Sequence, residues 1–190
     1  EYINDDVYKQ GVNNIKKRAS EQNVPLQQNK YLKWLMENTE GIDIVDFLDP
    51  SSTDKLDFSG LSLGELPDLS NFTKLDTLLA NNCGLKKLPP VEFLPKMAPL
   101  SLIGVQNNEI TEAPPKGYSQ LPNLFAITLK ENPIKEINVE ELAKINKDGT
   151  FIRFAIDKNI VDGLDNKEEF EAFMEGTTFD GIGAPIMYFM

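Results

Sequence analysis

Imidazole and thiol side chains are all but missing from this sequence. It contains no His, so imidazole acid–base catalysis and most transition-metal sites lack their usual residue. The one thiol, Cys83, sits among apolar neighbours at a position that reads as buried. There a thiol behaves as a small apolar group and not as a nucleophile. The run Asp157-Lys158-Asn159-Ile160-Val161-Asp162-Gly163 invites a calcium-loop reading. That loop needs Asp or Asn at its fifth position and Gly at its sixth, where Val161 and Asp162 stand. Gly181-Ile182-Gly183 lacks the third glycine and the strand–helix setting of a phosphate cradle. The expectation is a chain that is not an enzyme, with no catalytic residue, no metal and no cofactor.

The amides are more informative. Aligned on Leu56, Leu78, Ile103, Ile127 and Phe154, five stretches fit L-x-x-L-x-L-x-x-N/C-x-L, with a further apolar residue three positions on. Of the 25 apolar slots in these windows, 24 hold an apolar residue or Ala, and only Thr53 departs. At 41% hydrophobic composition about ten would be expected, so the pattern is not chance. The polar slot holds Leu61, Cys83, Asn108, Asn132 and Asn159. A chain that turns sharply after each short strand leaves inward-pointing N–H and C=O groups, and a buried Asn carboxamide satisfies both kinds. An unpaired buried group would cost about 1–3 kcal/mol.

Over residues 53–164 these windows make the chain resemble the leucine-rich repeat family. The pairs Leu66-Pro67 and Leu88-Pro89 are similar to those of bacterial and intracellular members. The resemblance implies an α/β fold: a short right-handed solenoid with a parallel sheet on its concave side. It implies protein recognition as the commonest role, and fixes the fold far more than the partner. The expected organisation is an N-terminal helical cap over 1–49, repeats over 50–164, and a C-terminal capping helix and tail over 165–190. In the first segment Val7, Tyr8, Val12 and Ile15, and then Tyr31, Leu32, Leu35 and Met36, carry helical spacing. The linkers Leu66-Pro67-Asp68-Leu69, Leu88-Pro89-Pro90 and Ala113-Pro114-Pro115 should be extended or 3₁₀, because proline fixes φ and removes a donor. Residues 139–145 have helical spacing, as does the stretch from Asn166 to Glu175, with Asn166 as N-cap and Glu169 at the capping-box position. The apolar tail from Gly181 to Met190 is expected to pack over the open edge of the last repeat.

The formal net charge is −11, which argues against nucleic acid and anionic membrane surfaces as partners. No 18-residue apolar run exists to insert into a membrane. A single Cys excludes an internal disulfide, so the chain reads as intracellular or as bacterial in any compartment; its location stays unassigned, with an exported or cell-envelope bacterial setting slightly favoured over a cytoplasmic one.

Alternation along a strand sends the residues between the core pair to the other face. Stacked side by side, those residues form a grid. Its centre is small, apolar or neutral: Leu79, Leu102, Gly104, Ala126 and Thr128. Its rim is charged or amide, from Lys55 and Asp57 through Asn81, Gln106 and Lys130 to Arg153 and Asp157. An apolar centre inside a polar rim is the arrangement of protein interfaces. The candidate partner-binding set is Leu79, Asn81, Leu102, Gly104, Gln106, Thr128, Lys130 and Arg153. The expected function is a protein-binding module, monomeric, with an unidentified protein partner. The alternative is a structural or targeting repeat domain of a larger exported bacterial protein, for which Glu1 and the apolar C-terminus would be cut points.

Overall fold

Leu-x-Leu alternation needs only three residues to bury two side chains on one side of a strand. In the computed structural model, which describes residues 50–60, 62–147, 153–176 and 186–189, the strands are about that long. In chain order they are β1 Lys55–Asp57, β2 Thr77–Leu79, β3 Leu102–Gly104, β4 Glu112–Ala113, β5 Ala126–Thr128, β6 Glu136–Ile137, β7 Arg153–Asp157 and β8 Ile186–Phe189. Among the described residues two helices, α1 Val139–Lys147 and α2 Lys167–Gly176, join these strands in an α/β fold. The main sheet has the order β1-β2-β3-β5-β7-β8 with every pair parallel, and β4 and β6 form a second, parallel pair. The helical segments expected over 1–49, Leu61 and the turn before β7 lie outside the described residues.

One register runs across the sheet: Leu56, Leu78, Ile103, Ile127 and Phe154 stand side by side. All five are buried, as are Phe58, Ala80, Val105, Leu129 and Ile156 two residues on. Leu66, Leu88, Ala113, Ile137 and Leu164 bury from the linking segments, so the core lies between the sheet and its linkers. Two linkers carry single 3₁₀ turns, Val91–Phe93 and Tyr118–Gln120, in line with their prolines.

After each of the first four main-sheet strands the chain passes through positive φ, at Gly60 (82°), Asn82 (55°), Asn107 (51°) and Glu131 (59°). After Asn82, Asn107 and Glu131 the next residue, Cys83, Asn108 or Asn132, is buried in the core. Asn108 Oδ1 accepts from Cys83 N–H at 2.9 Å and Leu85 N–H at 3.0 Å, while its Nδ2 donates to the Ala80 and Val105 carbonyls, both at 2.9 Å. Asn132 repeats this one step along, to Ile110 N–H, Val105 O and Leu129 O. Cys83 donates its thiol to Phe58 O at 3.1 Å.

The ladder stops there, and Asn159 is a correction. It is exposed, inside a six-residue 3₁₀ segment Lys158–Gly163 that replaces the expected turn. Ile134 N–H, which a fifth rung would have served, donates to Asn132 O at 2.9 Å instead. Asn166 also differs in detail. It stands where the N-cap was expected, and Phe170 N–H donates to its carbonyl at 3.0 Å. Its carboxamide, however, turns to Ile137, accepting from N–H at 3.2 Å and donating to O at 2.7 Å. The apolar tail adds to the sheet itself: β8 pairs with β7, Phe154 opposite Ile186 through Asp157 opposite Phe189.

α1 is capped by Asn138, whose Oδ1 accepts from Glu141 N–H at 3.0 Å. Glu141, at the capping-box position, does not reach back to the cap. It is 2% exposed and its Oε1 accepts from Ser119 N–H at 2.8 Å, tying the helix to the 3₁₀ turn 22 residues earlier. Burial pushes this carboxyl's pKa up, but the Ser119 amide and hydroxyl, the Gly117 amide and Lys144 more than offset that and hold it below the ordinary value of 4.5. A depressed folded-state pKa contributes stability above the unfolded value, which is lost as pH falls through the folded one. Glu141→Gln should therefore cost stability at neutral pH, about 1.5–3 kcal/mol for a lost charged hydrogen bond. The gap to wild type should close as pH drops below 4.5. Urea denaturation of both proteins across that range checks it, and a gap independent of pH would refute the ionised contact.

Candidate functional site

The outward face of the main sheet is set by the same register that builds the core. One row reads Lys55, Thr77, Leu102, Ala126 and Arg153, and the next Asp57, Leu79, Gly104, Thr128 and Ala155. Thr77, Leu79, Leu102, Ala126 and Thr128 are half-buried. They form a continuous patch across three strands. Arg153 is placed by its backbone alone, opening β7 opposite Ala126.

Three positions are less open than alternation suggests. Asp57, Gly104 and Ala155 are buried. At Gly104 the cause is visible: a Cβ there would lie 2.8 Å from Leu79 Cδ2 and 3.4 Å from Thr128 Oγ1. Leu79 leans over Gly104, so the centre of the face is filled by a leucine and is not a notch. Asp57 is drawn into the end of its own strand, where Oδ1 accepts from Ser59 N–H at 3.0 Å.

A third row holds Ser59 and then Asn81, Gln106, Lys130 and Asp157, the last four read from the sequence as rim. Much of it is occupied by the backbone. Asn81 N–H donates to Ser59 Oγ at 3.0 Å, Gln106 N–H to Asn81 Oδ1 at 2.8 Å, and Glu131 N–H to Asp157 Oδ2 at 2.7 Å. These are outer counterparts of the inner Asn ladder. Short polar side chains at strand ends commonly bond nearby main chain, and the run of Ser, Asn and Asp at this slot was the signal available. The carboxamide oxygen of Asn81 thus pins the chain just after β3. Gln106 and Lys130 are half-buried on the same rim.

Cys83 is buried on the inner side. The acids of the supposed calcium loop are engaged elsewhere, Asp157 with Glu131 N–H and Asp162 with Lys167 Nζ at 2.8 Å. Among the described residues no three Cys, Asp or Glu side chains converge to hold a metal ion, and no helix is long and apolar enough to cross a membrane. What the face can do is present about three strands' width of apolar surface with amides and charges at its margins. Sequence reasoning missed two of the exposed apolar side chains. Phe125, 53% exposed, precedes β5, and Met97, 93% exposed, lies on the loop before β3. Neither belongs to the repeating slots, so periodicity gave no hint of them.

Set against models of known protein families, the sequence matches none, and no curated protein matches it significantly. A functional assignment therefore rests on the geometry of this face.

Proposed function

We propose that the chain is a short leucine-rich-repeat solenoid, closed at its ends by non-repeat segments, that serves as a non-enzymatic protein-binding module through the concave face of its sheet. The observation that carries this reading is the half-buried patch of Leu79, Leu102, Ala126 and Thr128, drawn from two adjacent rows of one register across β2, β3 and β5. Large apolar side chains on an outward sheet face are left partly wet unless something covers them. Here they have amide and cationic neighbours at Asn81, Gln106 and Lys130, which suits a protein surface with an apolar anchor and a polar margin. A stack of repeats has little other use for a flat, patterned face.

The test is a comparison of wild type with Leu79→Asp/Leu102→Asp. Both side chains are half-buried on the outward face, so the variant should keep its circular dichroism spectrum and a melting temperature within a few degrees of wild type. Proteins captured by the wild type from its native lysate should be lost with the variant, since an unpaired carboxylate at the centre of an interface costs about 2–5 kcal/mol. Capture of the same proteins at equal yield by both would leave the concave-face reading without support.

A further inference from the structure

The linking segments behind the sheet are joined unevenly. Between the third and fourth windows the join is continuous. Lys135 and Glu136 N–H groups both donate to Thr111 O, Asn138 N–H donates to Ala113 O, and β4 pairs with β6. Between the second and third windows, the segments Leu85–Pro90 and Glu109–Pro115 share one such bond, Glu109 N–H to Leu85 O at 2.8 Å. The residue equivalent to Asn138 is Pro114, which has no N–H to donate. Tyr118 takes up part of the slack, its hydroxyl donating to Pro89 O at 2.8 Å. The two segments stand apart around a surface hollow of about 350 Å³.

The lining of this hollow reverses the charge of the molecule. Lys86, Lys87 and Lys116 surround it with one carboxylate, Glu112, and the hydroxyl-bearing Thr111, in a chain of net charge −11. Elsewhere Lys144 and Lys167 are spent in ion pairs with Glu140, Asp162 and Glu171. Lys86, Lys87 and Lys116 form none among the described residues, although Lys116 lies near enough to Glu140 to help Lys144 hold that carboxyl's pKa down. The remaining walls are Leu88, Pro90 and Pro115, two of them rigid rings that lose little freedom on binding.

We propose that this hollow binds a small phosphate-bearing ligand, its oxyanion among the three lysines and its body over Leu88, Pro90 and Pro115. Lysine ammoniums act as compact point charges that suit a multivalent phosphate, whereas planar carboxylates are matched better by arginine, which is absent from the lining. The volume lies near the low end of ligand sites, about 300–1,000 Å³, which accommodates one small molecule and not a length of polypeptide. The site is on the opposite side of the core from the proposed protein-binding face and does not depend on it.

The test is a titration of the full chain, followed by amide chemical shifts, with inorganic phosphate, pyrophosphate and phenyl phosphate at matched ionic strength, and with sodium chloride as control. Saturable shifts at residues 86–90 and 111–117 are expected. Phenyl phosphate binding tighter than inorganic phosphate would point to an organic ester as the source; equal affinities would point to free phosphate. Lys86→Ala/Lys87→Ala/Lys116→Ala should weaken binding by about tenfold or more, and Glu112→Gln should strengthen it severalfold, as charge-assisted contacts require. These side chains are exposed, so the fold should persist by circular dichroism. Single Lys→Gln variants, each expected to lose part of the affinity, provide the same test should the triple variant unfold. Absence of saturation with all three probes, or unchanged affinity in the lysine variants, would overturn the proposal.

Discussion

Asn108→Ala should destabilise the protein by about 3–5 kcal/mol, the range reached when a buried hydrogen-bond network is broken. The carboxamide serves two N–H groups of the preceding turn, at Cys83 and Leu85, and the carbonyls of Ala80, Val105 and Gln106. Alanine leaves all of them in an apolar interior, and each buried orphan costs about 1–3 kcal/mol before the backbone relaxes. Asn108→Asp should be no better, because it keeps the acceptor but loses the donor and buries a charge. The comparison variant is Asn159→Ala. The repeat pattern makes these two asparagines equivalent, but Asn159 is exposed, and its loss should cost less than about 0.5 kcal/mol. Urea denaturation followed by circular dichroism measures both. Equal losses would mean that the slot matters by position in the repeat and not by the bonds it makes.

That pair also marks where the sequence stops being a guide. The apolar slots were legible because burial is periodic: a strand must alternate, and Leu78, Ile103 and Ile127 can face only one way once their neighbours do. The inner amides at Asn108 and Asn132 were legible because a buried carboxamide has one common use at a turn. Asn159 fits the same local pattern, but its conformation is decided by the chain after it, which winds into the 3₁₀ segment Lys158–Gly163 and then α2. The outward face was legible in direction and not in depth. Alternation puts Gly104 on it, but only packing shows Leu79 lying across that position. Ser59 and the rim residues Asn81 and Asp157 were legible as polar, while their bonds to main chain come from strands 22 to 26 residues away. β8 was legible as an apolar segment that needed covering; that it would add an edge strand depends on β7 offering one.

The second large effect is expected at Gly117, where the turn after β4 is built. Its φ of +95° is a conformation that a side chain disfavours, and a Cβ would lie 2.7 Å from Val91 Cγ1 and 3.3 Å from Val91 Cβ. Val91 is buried and β-branched, so it has little freedom to rotate away. The turn also aims three contacts. Gly117 O accepts from Gln120 N–H at 2.9 Å, Ser119 N–H reaches Glu141, and Tyr118, whose burial pushes its hydroxyl pKa well up and keeps it a donor, reaches Pro89 O. Gly117→Ala should therefore cost on the order of 3 kcal/mol, about 1–2 from the backbone and the rest from overpacking. Gly84→Ala separates the two contributions. Its φ is also positive, at +66°, but a Cβ there meets nothing within 4 Å, so only the backbone cost of about 1 kcal/mol should appear. In Gly117→Ala/Val91→Ala the clash is gone but a buried side chain is truncated, so the double variant should lose less than the sum of its two single variants. Strict additivity in denaturant midpoints would show that Val91 does not resist the new methyl, and that the turn is held by φ alone.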